Sequence, residues 1–215
     1  MNGLALVAAL SGLVSIVAFQ TGPWTLAAIT KALTTVVIIV YAMRRGDGGR
    51  YSRLIRAGLV ASLAGDIFLL WPQQGFIPGL VSFLVAHLLY LYAFTDGLRR
   101  GFALTPTLGY AAYAAVALAF LWGDVPGALR LPVMFYIAAL LAMAAAAASR
   151  ALRAAPGDDG PARAAALGAG LFAISDTTLA FNKFAGPLPF ASVVVLTTYW
   201  LAQWAIASSA SPAAR

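Results

Sequence analysis

The sequence has no cysteine, no glutamate and a single histidine, so its seven acidic residues are all aspartates. Without cysteine the chain forms no disulfide, no thiolate metal site and no thiol nucleophile. Aspartates and one histidine are the strong metal ligands that remain, whereas catalytic zinc usually takes three protein ligands rich in histidine. A zinc site on His87 and aspartates is the weaker alternative, and we expect neither a metal nor another cofactor.

Charged residues are scarce as well. They make up 10% of the 215 residues, and hydrophobic residues make up 62%, whereas soluble domains carry about 25% charged residues. The sequence therefore predicts a membrane protein. The net charge of +7 does not indicate nucleic-acid binding, because most arginines lie between apolar runs, where they determine membrane orientation.

The apolar runs predict an all-α, polytopic membrane helix bundle with eight transmembrane helices in a single domain, residues 1–215. A spanning helix needs about 20 mostly apolar residues. The first run lacks the basic start and cleavage site of a signal peptide, so we interpret it as a retained helix. The predicted spans are residues 3–19, 23–43, 54–71, 76–97, 105–122, 128–149, 162–181 and 188–208.

The loops between the spans differ in charge. Those at 44–53, 98–100 and 150–163 are basic or polar, and Arg215 follows the last span, whereas the intervening turns are almost uncharged. Basic loops stay in the cytoplasm. We therefore expect both termini to be cytoplasmic, in the inner (plasma) membrane of a bacterium.

The two halves of the chain show a faint internal repeat. An offset of 110 residues aligns Asp66 with Asp176 and Leu69 with Leu179. A repeat of four helices keeps the same orientation in both halves, so it predicts a 4+4 parallel arrangement about an axis along the membrane normal. Asp66 and Asp176 would then occupy equivalent positions near that axis.

A charge inside a membrane span costs at least about 2.5–3.5 kcal/mol at the centre and therefore indicates function. At about 1.5 Å per residue, Asp66 and Asp176 each lie roughly 7–8 Å below the outer end of their helices. Lys31 lies at a similar depth, His87 nearer the midplane, and Lys183 at the outer mouth. These placements predict one polar layer in the outer half of the bundle.

Two carboxylates in such a layer resist ionising together, so one stays protonated while the other is ionised. That arrangement equips a site for general acid–base catalysis. Structural alternatives remain open. An aspartate paired with a lysine would only hold two helices together, and His87 would only donate a hydrogen bond between helices. Lys31 would extend its charge outward to the membrane surface. Tyrosines such as Tyr90 would pack in the core or anchor the membrane interface.

Two blocks of sequence carry a resemblance to a known family. GDIFLLWP and GLVSFLVAHLLYLYAF, within 65–94, and ISDTTLAFNKF and ASVVVLTTYWLAQWAI, within 174–206, resemble the signatures of the YhhN family, whose animal members include lysoplasmalogenase. The resemblance implies a hydrolase that cleaves the vinyl ether bond of a lysoplasmalogen to a fatty aldehyde and a glycerophospho-headgroup compound.

The family's chemistry implies that Asp66 and Asp176 are catalytic, and the substrate is a lysophospholipid taken from the bilayer. The residues expected to bind it are Lys31, His87, Tyr90, Asn182, Lys183 and Tyr199. Two rival functions use the same polar layer. A proton-coupled transporter would use it as a proton relay, and a lipid-binding membrane protein would use it only to hold helices together.

Overall fold

The computed structural model describes residues 3–46, 48–71, 73–96, 98, 101–155 and 159–210. These residues form eight α-helices and, within those ranges, no strand, so the predicted all-α class is confirmed. The basic positions 99, 100 and 215 lie outside the described residues. The helices are α1 (Gly3–Thr21), α2 (Trp24–Arg45), α3 (Arg50–Phe68), α4 (Phe76–Thr95), α5 (Leu104–Leu121), α6 (Gly127–Leu152), α7 (Asp159–Phe184) and α8 (Ala191–Ser208).

Seven of the eight helices are long and apolar enough to cross a membrane, which confirms a polytopic helical membrane bundle. The exception is α3, because every 18-residue stretch of it holds at least three charged residues. It nevertheless packs against α2, α4 and α8. A membrane crossing by α3 therefore remains a prediction.

The start of α3 differs from the predicted span. The helix begins at Arg50 rather than at residue 54, because arginine is a good helix former and the Arg50 guanidinium has a partner, with Cζ 4.4 Å from the ring centroid of Tyr92 on α4. Hydropathy alone places the helix start too late, because Arg50 and Arg53 lower the apolar character of the first turn.

Glycines allow α3 and α4 to approach closely. A Cβ on Gly75, in the turn between them, would lie 1.8 Å from the carbonyl oxygen of Phe68. A Cβ on Gly65 would lie 2.6 Å from the Phe83 ring, and one on Gly58 would lie 2.3 Å from the Tyr90 ring. Small residues at helix contacts permit such approach in membrane bundles. This packing places Gly65, the residue before Asp66, against the Phe83 ring of α4.

The packing of the helices follows the predicted repeat in part. In the first half α3 packs on α2 and α4, and in the second half α7 packs on α6 and α8. Between the halves, α4 contacts α6 and α8 contacts α2. The first helix of each half differs, because α1 packs on α2 and α8 whereas α5 packs on α6 and α7. Of the side chains of α5, Leu121 alone is fully buried, so this helix is peripheral.

The two ends of the bundle have different connections. One end carries the short connections at 22–23, 69–75, 122–126 and 185–190, and we call it the turn side. The opposite end carries the connections after α2, α4 and α6, and we call it the basic side. Asp66 lies two residues before the turn-side end of α3, and Asp176 lies eight residues before that of α7, so their distances from the helix ends differ from the equal distances expected.

Candidate active site

The Asp66 carboxylate is buried and fully engaged. Lys31 Nζ lies 3.3 Å from Oδ1 of Asp66, and it donates to the backbone oxygen of Asp66 at 3.1 Å. The hydroxyls of Thr35 and Tyr199 each donate to Oδ2 at 2.7 Å. Charge-assisted hydrogen bonds of this kind stabilise the ionised form of a carboxylate.

The Asp176 carboxylate has different surroundings. The Tyr136 hydroxyl donates to its Oδ2 at 2.5 Å, and His87 Nε2 lies 3.1 Å from the same oxygen. Its side chain is 10% exposed, against 3% for Asp66. Among the described residues, no donor contacts Oδ1 of Asp176 and no lysine or arginine forms an ion pair with it. One oxygen of Asp176 therefore lies open toward the adjoining cavities.

The tautomer of His87 follows from its surroundings. Nδ1 is buried and has no hydrogen-bond partner among the described residues. The ring lies between Phe172 and Tyr136, with ring centroids 4.8 and 5.0 Å away. A buried N–H without an acceptor costs about 1–3 kcal/mol, so we assign the hydrogen to Nε2. Nε2–H then donates toward Oδ2 of Asp176 at 3.1 Å, with the Tyr136 hydroxyl oxygen 3.0 Å away as a second acceptor.

Both carboxylates line the same polar cavity, which has a volume of about 190 Å³. It runs from Asp66 and Asp176 to the turn side, where Phe19 and Ala191 lie at helix ends. The polar side chains in its wall are Lys31, Asp66, Ser175, Asp176, Asn182, Ser192 and Tyr199. The Asp66 carboxylate, which is paired with Lys31, and the Asp176 carboxylate, which has no such pair among the described residues, therefore face the same cavity.

An apolar cavity of about 80 Å³ lies on the other side of Asp176, between α4, α5, α6 and α7. Its wall and that of the polar cavity share Leu69, Phe83, Asp176 and Leu179. Its wall reaches the turn-side ends of α4, α5 and α7 at Phe76, Leu121 and Phe184. Asp176 therefore lies at the junction of two chemically different cavities.

The structure brings together most of the predicted site residues. Asp66, Asp176, Lys31, Asn182 and Tyr199 line the polar cavity, and His87 reaches it through Asp176. In the described part of the chain, no three histidine, cysteine, aspartate or glutamate residues lie together.

Two predicted substrate-binding residues lie elsewhere. Tyr90 is fully buried and lines neither cavity; its hydroxyl donates to Oε1 of Gln203 at 2.8 Å and its ring packs on Gly58. Lys183 is exposed, with Nζ 4.7 Å from the ring centroid of Phe76. A buried tyrosine in a membrane helix is satisfied by packing and one acceptor, which explains why its hydroxyl alone does not indicate a site.

Sequence reasoning missed Thr35, Tyr136 and Ser192. Thr35 follows Lys31 by four residues and so lies on the same helix face, a signal that would have identified it. Tyr136 has no comparable signal, since it stands in an apolar stretch of α6 far from either aspartate in sequence. Its role depends on α6 packing against both α4 and α7.

Comparisons with known proteins show which family the chain resembles. The model of the YhhN family matches residues 26–210. Lysoplasmalogenase TMEM86B of Sus scrofa is 37% identical over 187 residues, which is 86% of this chain and 75% of the relative. The protein of the same name from Homo sapiens is 35% identical over 185 residues, with the same coverage.

A bacterial relative, described as the uncharacterized membrane protein YhhN of Escherichia coli O157:H7, is 31% identical over 113 residues, covering 53% of this chain and 54% of the relative. No solved structure matches the chain. Because the family model covers most of the sequence and the relatives exceed 30% identity, the chain belongs to the YhhN family.

Proposed function

We propose that this protein is a membrane-embedded lysoplasmalogenase, which hydrolyses the vinyl ether bond of a lysoplasmalogen to a fatty aldehyde and a glycerophospho compound. The observation that carries the proposal is the pair of unlike carboxylates, Asp66 and Asp176, in the wall of one cavity. The relatives named lysoplasmalogenase at 35–37% identity support the choice of substrate. Acid hydrolysis of a vinyl ether needs a proton donor and an anion that stabilises the cation formed.

Asp176 is the proton donor in this proposal. Its Oδ2 is held by Tyr136 and His87, which leaves Oδ1 as the oxygen that carries the proton and faces the substrate. Asp66 is the ionised partner, because Lys31 and two hydroxyls stabilise its negative charge. The two environments separate the acid from the base, as paired carboxylates do in glycoside hydrolysis.

The reaction balances with these two residues and one water. Asp176 gives its proton to the alkenyl carbon remote from the ether oxygen, and the C=C electron pair forms the new C–H bond. Water attacks the resulting oxocarbenium carbon and passes a proton to Asp66. Asp66 then protonates the ether oxygen while the hemiacetal hydroxyl returns a proton to Asp176. The C–O bond breaks, and the aldehyde and the glycerol hydroxyl are released.

Aldehyde release tests the proposal directly. Purified protein in detergent should release fatty aldehyde from lysoplasmalogens and none from the saturated alkyl ether lipid, which has no C=C bond to protonate. Mass spectrometry of the products measures both. A protein that moves protons or lipid across vesicles without forming aldehyde would be the proton-coupled transporter instead. A lipid-binding protein would show neither activity.

The orientation of the chain in the membrane gives a second prediction. Because the native chain has no cysteine, one introduced cysteine is its only thiol. An impermeant maleimide should label Gln73→Cys and Asp124→Cys, on the turn side, in intact cells. It should label Arg53→Cys and Arg163→Cys, on the basic side, only after lysis. The positive-inside rule sets this expectation.

Equal labelling of Arg53→Cys before and after lysis would contradict cytoplasmic termini. All four positions are exposed in the structure, so poor labelling on one side reports the membrane rather than burial.

Lys183 gives a third prediction. Its ammonium lies at the turn-side end of α7 beside Phe76, where a lipid phosphate would meet it. Lys183→Ala should raise KM by up to about fivefold, as for an exposed ion pair, and should preserve most of kcat. Lys183→Arg, which keeps the charge, is the matched control. A collapse of kcat at unchanged KM would instead place Lys183 in the chemistry.

A further inference from the structure

A third cavity, of about 520 Å³, lies between α5 and α7 toward the basic side from Asp176. Its wall is built mostly of apolar and small residues of these two helices, among them Pro106, Gly109, Tyr110, Tyr113, Gly170 and Ile174. We call it the α5–α7 groove. Leu167, in its wall, is 62% exposed, and Leu108, beside it on α5, is 59% exposed. In a membrane protein such a surface faces lipid chains.

Tyr113 connects this groove to the site. Tyr113 lines both the α5–α7 groove and the apolar cavity. Its hydroxyl donates to Thr177 Oγ1 at 2.7 Å and lies 3.4 Å from the carbonyl oxygen of Ala173. Thr177 follows Asp176 directly on α7. The three cavities therefore adjoin in a row, which we call the path: the groove meets the apolar cavity at Tyr113, and the apolar cavity meets the polar cavity at Asp176.

The path changes from apolar to polar at Asp176. A lysoplasmalogen changes in the same way, because its vinyl ether joins a hydrocarbon chain to a glycerophospho group. We propose that the hydrocarbon chain occupies the apolar cavity and extends past Tyr113 into the α5–α7 groove, while the glycerophospho group occupies the polar cavity. This inference rests on the proposed function for the identity of the lipid and adds where each part of it binds.

The direction of the path supports this occupant. The polar cavity opens toward the turn side, whereas the groove lies on the stretches of α5 and α7 nearer the basic side. A lipid in that orientation keeps its headgroup at one membrane surface and its chain toward the bilayer centre. The peripheral position of α5 gives the chain a route from the bilayer between α5 and α7 that leaves the rest of the bundle in place.

A substitution in the apolar cavity tests the inference through chain length. Ala117 lines that cavity, whereas Ala115 on the same helix is exposed and faces outward. Ala117→Leu should lower kcat/KM for long-chain lysoplasmalogens by about tenfold and that for short-chain ones by about twofold or less, since filling a pocket by a few methylenes discriminates on this scale. Ala115→Leu adds the same group outside the path and should leave both values unchanged.

A binding measurement on the native protein is independent of turnover and of the folding of any variant. The probe is a saturated alkyl ether lysophospholipid with a photoreactive group at the end of its chain. Mass spectrometry identifies the labelled residues, and excess unlabelled alkyl ether lipid separates site-specific adducts, which it suppresses, from general lipid contacts. We expect the suppressed adducts on α5 and α7, around Tyr110 and Ile174.

The outcomes separate this inference from the proposed function. Suppressed adducts on α5 and α7 without aldehyde release would overturn the proposed hydrolase and would support the chain site. Aldehyde release with suppressed adducts on α1, α2 or α8 would overturn the chain site and keep the hydrolase. An equal loss of kcat/KM for short-chain and long-chain lysoplasmalogens in Ala117→Leu would also overturn the chain site.

Discussion

Asp176→Asn is expected to slow aldehyde release by at least about 100-fold, the usual contribution of a general acid. Asparagine keeps the shape of aspartate, and its oxygen still accepts hydrogen bonds from Tyr136 and His87, as Oδ2 of Asp176 does. It has no acid proton to give to the alkenyl carbon. Because no lysine or arginine pairs with Asp176 in the described part of the chain, the change strands no buried cation, and the fold should be retained.

The measurement is kcat for aldehyde release, together with the thermal unfolding of the purified variant. Asp124→Asn, an exposed aspartate in the turn between α5 and α6, is the matched control and should behave as the native protein does. The double variant with Asp66→Asn should lose little more than the worse single one, because residues that act as a unit are not additive. A well-folded Asp176→Asn protein with near-normal aldehyde release would refute its role as the acid.

Asp66→Asn should cost both activity and stability. Lys31 is 7% exposed and pairs with Asp66 at 3.3 Å, so the substitution leaves a buried ammonium without its counter-charge. Breaking one side of a buried ion pair typically costs about 3–5 kcal/mol of stability. Loss of the ionised carboxylate should also slow aldehyde release by about 100-fold, on the scale of acid–base catalysis.

A second substitution separates these two effects. Adding Lys31→Met to Asp66→Asn removes the stranded charge and should restore much of the unfolding temperature, since a buried pair is often replaced without loss by neutral groups. Activity should stay low, because the carboxylate is still absent. Asp159→Asn breaks the exposed pair with Arg163, whose atoms lie 3.2 Å apart, and should cost about 0–1 kcal/mol. Recovery of activity along with stability in the double variant would show that Asp66 is only structural.

The sequence by itself determined which segments form helices and where most of them end. Hydropathy is a property of consecutive residues, so each apolar run could be recognised without knowing its neighbours. The run from residue 76 predicted α4 within two residues at both ends. Hydropathy failed at the start of α3, where Arg50 packs on the Tyr92 ring and the helix extends beyond its apolar part.

The sequence also identified the two aspartates, because a carboxylate in an apolar run is costly wherever it packs. It predicted that Lys31 lies level with Asp66, since rise per residue fixes depth along a helix. The structure places these two side chains in contact. Tyr90 was expected in the site, but it lies about two turns beyond Phe83 on the same face of α4, where its ring packs on Gly58, away from the cavity.

Only the tertiary structure decided which groups surround each carboxylate. Tyr136 reaches Asp176 because α6 packs on α7, and Tyr199 reaches Asp66 because α8 packs near α3. The cavities that meet at Asp176 are likewise spaces between four or more helices. Such contacts depend on the rotation and tilt of helices relative to one another, which side-chain packing sets across the whole bundle. Membrane insertion depends on each segment's own composition, and it therefore could be predicted from the sequence whereas the difference between the two aspartates could not.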